Sequence, residues 1–137
     1  MIKYLLRQNK IEGSSCYNKW FAYPVKEQTV ELDKLAQHMA AHNTPYSAGA
    51  IKGILTDMVS CIKELLLEGN SVKLPDLAIF SIGIRNMKGG AAKEEDFTVA
   101  GNISGLRLRA RATGSLNMKD LETALRKATV VEAKKKE

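Results

Sequence analysis

A chain of 137 residues with 45% apolar content holds one domain and a small appendage, with enough apolar matter to build a core. No run is long enough for a signal peptide or a membrane span, and Cys16 and Cys61 do not make a disulfide framework, so a cytoplasmic protein without membrane contact is expected. The formal net charge of +6 favours a polyanionic partner, and it divides as +3 over residues 1–30, −2 over 31–68 and +5 over 69–137.

Residues 1–25 read as two strands around a turn: "MIKYLLRQN" alternates, "IEGSS" is turn chemistry and "CYNKWFAYPV" is aromatic and β-prone. Tyr17, Phe21 and Tyr23 share one face of the second strand; core is the expectation for them, and if exposed they could stack on bases. From Val30 the period changes. Leu32, Leu35, Ala36, Met39 and Ala40 recur at helical spacing, with Thr29 as the expected N-cap. His38 and His42 stand one turn apart, as paired zinc ligands do, but no Glu follows the first and no third ligand is evident, so a surface pair without metal is expected.

A second helix is expected from Thr44, as N-cap before Pro45, to a stop at Gly69. Its apolar residues, Ile51, Ile54, Leu55, Met58, Val59, Cys61, Ile62, Leu65 and Leu66, cover an arc of roughly 160° at 100° per residue. A surface helix needs little more than ~100°. The surplus predicts a homodimer interface through Ile51, Ile54, Leu55, Met58, Ile62 and Leu65, unless the first helix and the N-terminal hairpin use up the arc. Cys61 lies on this face and is expected to be a buried thiol.

After Gly69 come a short strand "SVKL", a Pro75-Asp76 turn and a strand "LAIFSIGIR" with Phe80, Ile82 and Ile84 on one side and Ser81, Gly83 and Arg85 on the other. "NMKGGAAKEEDFTVAGN" is a loop or arm with a short helical turn. "ISGLRLRARAT" returns as a strand. Ser115 then caps a last helix, "LNMKDLETALRKA", with Met118, Leu121, Leu125 and Ala128 buried, and "EAKKKE" ends the chain as a solvated tail.

The return strand sets Arg107, Arg109 and Arg111 at alternate positions, hence on one face and about 6.6 Å apart. Phosphates advance about 3.4 Å per step along each DNA strand, so the row loosely matches every second step. Side-by-side arginines repel, which makes sense if a partner supplies the negative charge. The alternative is a solvated sheet face whose arginines pair with Glu94, Glu95 or acids on a neighbouring strand.

From about Thr29 to Ala128 the order of elements resembles the HU and integration-host-factor family of bacterial DNA-architectural proteins. The resemblance is carried by "VELDKLAQHMAAHNTPYSAGAIKGILTDMVSCIKELLLEGNSVKLPDLAIF" and "LRLRARATGSLNMKDLETAL". It looks nearest to the HU-like proteins of Bacteroides-type bacteria, which place an extra strand segment first; "WFAYPV" suits it. The resemblance implies an α+β fold: two N-terminal helices, an antiparallel sheet with a shortened arm, and a C-terminal helix. An N-terminal β-hairpin extension over 1–28 would precede the HU-like DNA-binding domain over 29–128, and a tail over 129–137 would follow. It also implies an obligate homodimer on double-stranded DNA in the nucleoid. Carried over by position, Arg85, Arg107, Arg109 and Arg111 would lie on or near the DNA face, with Lys73, Lys88 and Lys119 as further phosphate contacts. Arms of this family are basic and tipped by a proline that wedges between base pairs. Residues 86–101 here contain no proline and sum to −1, a poor wedge.

Two functions follow. One is sequence-nonspecific, architectural DNA binding by a homodimer. The other is a protein–protein module that keeps the dimer and has lost strong DNA binding or bending, with the loop 86–101 and the aromatic hairpin as contact surfaces. No nucleophile–base arrangement, phosphate-cradling loop or metal cluster suggests an enzyme, a cofactor or a small-molecule substrate.

Overall fold

Alternating residues at the N-terminus form the expected hairpin. In the computed structural model, which describes residues 1–116, 125–130 and 132, strand β1 (Ile2–Gln8) pairs antiparallel with β2 (Trp20–Pro24). Leu5 stands opposite Tyr23 and Arg7 opposite Phe21. The turn closes on its own polar groups: Asn9 Oδ1 accepts from the Ile11 N–H at 2.8 Å and Ser14 Oγ from the Cys16 N–H at 3.2 Å. Tyr17, Phe21 and Tyr23, expected as core, are exposed instead. Among the described residues of this part of the chain no second layer packs on the sheet to bury them.

The closing helix expected over 116–128 does not reach its end. Leu125–Lys127 is strand β6, running parallel to β1 with Ile2 opposite Leu125, so the sheet order is β2-β1-β6. Helical propensity is a weak preference, and the unpaired edge of β1 overrides it by offering a ladder of hydrogen bonds. Met118 and Leu121 of that expected helix lie outside the described residues, as does Lys119. Ser115 caps no helix among the described residues; its N–H donates to Asp76 Oδ1 at 3.4 Å. Nor is the residue run after 128 wholly a solvated tail. Glu132 accepts from Arg126 Nη2 at 2.7 Å, from the Thr129 N–H at 3.0 Å and from Lys3 Nζ at 3.0 Å, which ties Glu132 itself to β1.

The chain divides into two compact units, Met1–Thr29 with Met118–Glu137, and Val30–Asn117. In the second, helix α1 (Leu32–Ala40) starts after Glu31, an extended residue without a side-chain cap, so Thr29 is not the N-cap. Helix α2 (Ala48–Leu67) is capped by Ser47, whose Oγ accepts from the Ala50 N–H at 3.1 Å. Thr44 caps a turn instead, accepting from the Tyr46 N–H at 3.3 Å. The helix stops as expected: Gly69, at φ 89°, donates to the Leu66 carbonyl and Asn70 to that of Leu65, the paired bonds of a left-handed C-terminal cap. Ala36 on α1 and Ile51 on α2 are buried where the helices pack.

Strands β3 (Val72–Leu74), β4 (Ala78–Asn86) and β5 (Ile103–Ala112) form an antiparallel sheet in that order, so β5 is an edge strand among the described residues. The turn from β3 to β4 puts Pro75 and then Asp76, at φ 57°, between Leu74 and Leu77, as a type II turn requires. The connection from β4 to β5 holds one 3-10 turn, Glu94–Asp96, and the short helix α3 (Val99–Asn102), capped by Thr98. Among the described residues three α-helices and two sheets make the fold mixed α+β.

Candidate nucleic-acid interface

Register decides which side chains share a face. Along β4 and β5, Ile79 stands opposite Arg111, Ser81 opposite Arg109, Gly83 opposite Arg107 and Arg85 opposite Gly105. Lys73 on β3 stands opposite Ile79. One face of the sheet therefore collects Lys73, Arg85, Arg107, Arg109 and Arg111, all exposed. Five cations from three strands meet there. Lys88 lies beyond the end of β4, in the connection.

No ion pair reaches these arginines among the described residues. Glu94 and Glu95, the partners named in the alternative reading, sit in the 3-10 turn of the connection and form no ion pair with them. Unneutralised guanidinium groups in a row raise the local positive potential and recruit anions. Gly83 has a part in this that the sequence did not reveal. A Cβ at position 83 would come within 2.7 Å of Arg109 Nε, so the Arg109 side chain lies across the bare glycine backbone. The signal was a glycine inside a strand, which often marks close approach by another group.

The opposite face carries Phe80, Ile82, Leu106 and Leu108, and of these Phe80, Ile82 and Leu108 border α2. Between helix and sheet is an apolar cleft of about 500 Å³, lined by Met58, Ile62, Leu66, Leu74, Phe80 and Leu108. Leu108 remains 62% exposed and Ile54 61%. Of the six residues expected at a dimer interface, Ile51 is buried within its own chain, Leu55 and Ile62 are half-buried, and Ile54, Met58 and Leu65 are exposed. Cys61 is exposed rather than buried, because one chain covers only part of the broad apolar arc of α2.

The connection 87–102 closes on itself. Met87 N–H donates to the Asn102 carbonyl at 2.8 Å, and Asn102 Oδ1 accepts from the Thr98 N–H at 2.9 Å. A register shift between Arg85 and Asn86 marks where the paired strands end. Met87, Phe97 and Val99 are exposed there beside Glu94, Glu95 and Asp96. On α1, His38 and His42 bring their Nε2 atoms to 3.1 Å, and no cluster of three metal-ligating side chains occurs among the described residues. No helix among them is long and apolar enough to cross a membrane.

A family model, HU-HIG, described as an HU domain fused to wHTH, Ig, or glycine-rich motif, matches residues 1–109. Among solved structures the chain is similar to a candidate bacterial DNA-binding protein from Bacteroides vulgatus ATCC 8482, with a TM-score of 0.66 and 16% identity. The match covers 94% of this chain and 48% of that one, so this chain spans about half its length. At that identity the likeness is one of fold. No curated protein matches.

Proposed function

The chain belongs to the HU-HIG family, and from that membership we propose that it binds double-stranded DNA through the arginine face of β3-β4-β5, as a homodimer and without sequence preference. The carrying observation is that Lys73, Arg85, Arg107, Arg109 and Arg111 share one exposed face with no carboxylate partner among the described residues. The name given to the Bacteroides protein agrees with this reading. Phosphate contacts fix position and carry no sequence information, so the binding is general. The second copy would sit on Ile54, Met58 and Leu65 and fill the apolar cleft behind Leu108. A connection without proline and with net negative charge is a poor wedge between base steps, so it does not supply strong bending. Within this reading the body from residue 29 onward holds the DNA in the nucleoid, the hairpin 1–28 is an extension, and no cofactor or small-molecule substrate takes part.

A salt titration on random-sequence duplex tests this. Affinity should fall steeply with salt, because each neutralised phosphate releases counterions. Changing Arg107, Arg109 and Arg111 together to Glu should abolish binding at low salt. Unchanged binding by that triple variant overturns the reading. The exposed acids and apolar groups of the connection favour a second reading, a protein-binding module. A defined partner recovered equally well after nuclease treatment would support it.

A further inference from the structure

We propose that the face of the β1-β2 sheet bearing Phe21 and Tyr23 binds single-stranded DNA, by stacking unpaired bases on the two rings between flanking cations. This surface is separate from the arginine face of β3-β4-β5 and does not depend on it. Phe21 and Tyr23 are 40% and 47% exposed, so neither ring is spent on a core. They stand two residues apart on β2, hence on one side of it and about 6.8 Å apart. Stacked bases are spaced about 3.4 Å, so that gap is the thickness of one base held between two rings.

The charges select the ligand. Arg7 stands opposite Phe21, and its guanidinium carbon lies 5.6 Å from the Tyr23 ring centroid. Lys19, held at the end of the ladder by the Asn9 N–H on its carbonyl, continues the row of Phe21 and Tyr23 and is exposed. Neither cation has an ion-pair partner among the described residues. Of the two acids in residues 1–29, Glu27 is bonded to Lys3 at 3.1 Å and Glu12 lies in the turn. Tyr4, Leu6, Trp20 and Ala22 line the opposite side, where the one cation is Lys127, opposite Tyr4 on β6, among the described residues. The Phe21 side sets two rings in one row with Arg7 and Lys19 beside them, and that row is what suits bases on a phosphate chain. In a duplex the base faces are already stacked, so these rings have nothing to take hold of. An unpaired strand offers both faces and charge.

The test uses the full chain and a fluorescein-labelled oligothymidylate, which forms no duplex, followed by fluorescence anisotropy beside a duplex of random sequence. Changing Phe21 and Tyr23 together to Ala should weaken oligothymidylate binding about tenfold or more and leave duplex binding unchanged. Changing both to Trp should restore it. The Arg107, Arg109 and Arg111 reversal should lower duplex binding and spare the oligothymidylate, so failure of either surface is read separately. Absence of oligothymidylate binding by the unaltered chain, wild-type binding by the double Ala variant, or loss only with the arginine reversal overturns the proposal. If circular dichroism shows the Ala variant unfolded, Arg7→Glu with Lys19→Glu decides: an unchanged affinity overturns it and a loss upholds it.

Discussion

Gly83 has no side chain, and Arg109 occupies the space where one would begin. Replacing it with Val would keep net charge and β propensity while displacing the guanidinium. We expect Gly83→Val to weaken duplex binding several-fold and to lower the salt slope toward that of Arg109→Ala, which should lose about one phosphate contact. A duplex affinity and slope equal to wild type would remove Gly83, and the Arg109 placement it allows, from DNA binding. Strand alternation made the shared face of Arg107, Arg109 and Arg111 legible, because period two follows from backbone geometry alone. It did not reveal that Gly83 sits under Arg109, since a glycine in a strand has several possible causes. Cys61 was misjudged for a related reason: helical spacing tells which residues share a side, and burial depends on what lies opposite.

Elements read from local signals came out well where the signal was strong. The stop at Gly69 needs only a left-handed residue, and Gly is the residue that takes that conformation at least cost. The start of α2 was misplaced by three residues because Thr44-Pro45 and Ser47 both offer cap chemistry, and only the second is followed by helix. β6 was illegible, since its partner strand lies over a hundred residues earlier and pairing outweighed propensity. Beside that backbone pairing, the Glu132 carboxylate bridges the two strands, and the Arg126 guanidinium, the Thr129 N–H and the Lys3 ammonium hold it well below the usual carboxylate range. A depressed carboxylate stabilises above its unfolded value near 4.5 and loses that contribution as pH falls through the folded value. The β1-β6 pairing should therefore persist from neutral pH to about 4.5 and weaken progressively below. Cross-strand NMR contacts between Ile2 and Leu125 report this, and Glu132→Gln should weaken them already at pH 7. A pairing indifferent to pH and to Glu132→Gln would assign the strand to backbone bonds alone.

At the scale of the molecule, only Ala36, Ile51, Leu66 and Ala78 are buried apolar residues among those described, a small core for a chain with 45% apolar content. The proposed dimer accounts for the shortfall, and its breadth was legible in the arc of α2. Met58→Asp places a charge on that face. It should shift sedimentation from dimer to monomer and lower the melting temperature, which for the unaltered chain should rise with protein concentration. A Met58→Asp protein that sediments and melts like wild type would remove this face from the interface.

The position of β5 at the rim of its sheet carries a further consequence. Ten residues of strand with one side unpaired among the described residues would ordinarily template the next chain, and proteins prevent this by charging such rims. Here the guard is electrostatic, so it is strongest in dilute salt and is lifted by whatever neutralises the guanidinium row. Polyanions would thus do more than occupy the protein: they would let neighbouring copies approach side by side, and crowding along a nucleic acid would follow occupancy rather than precede it.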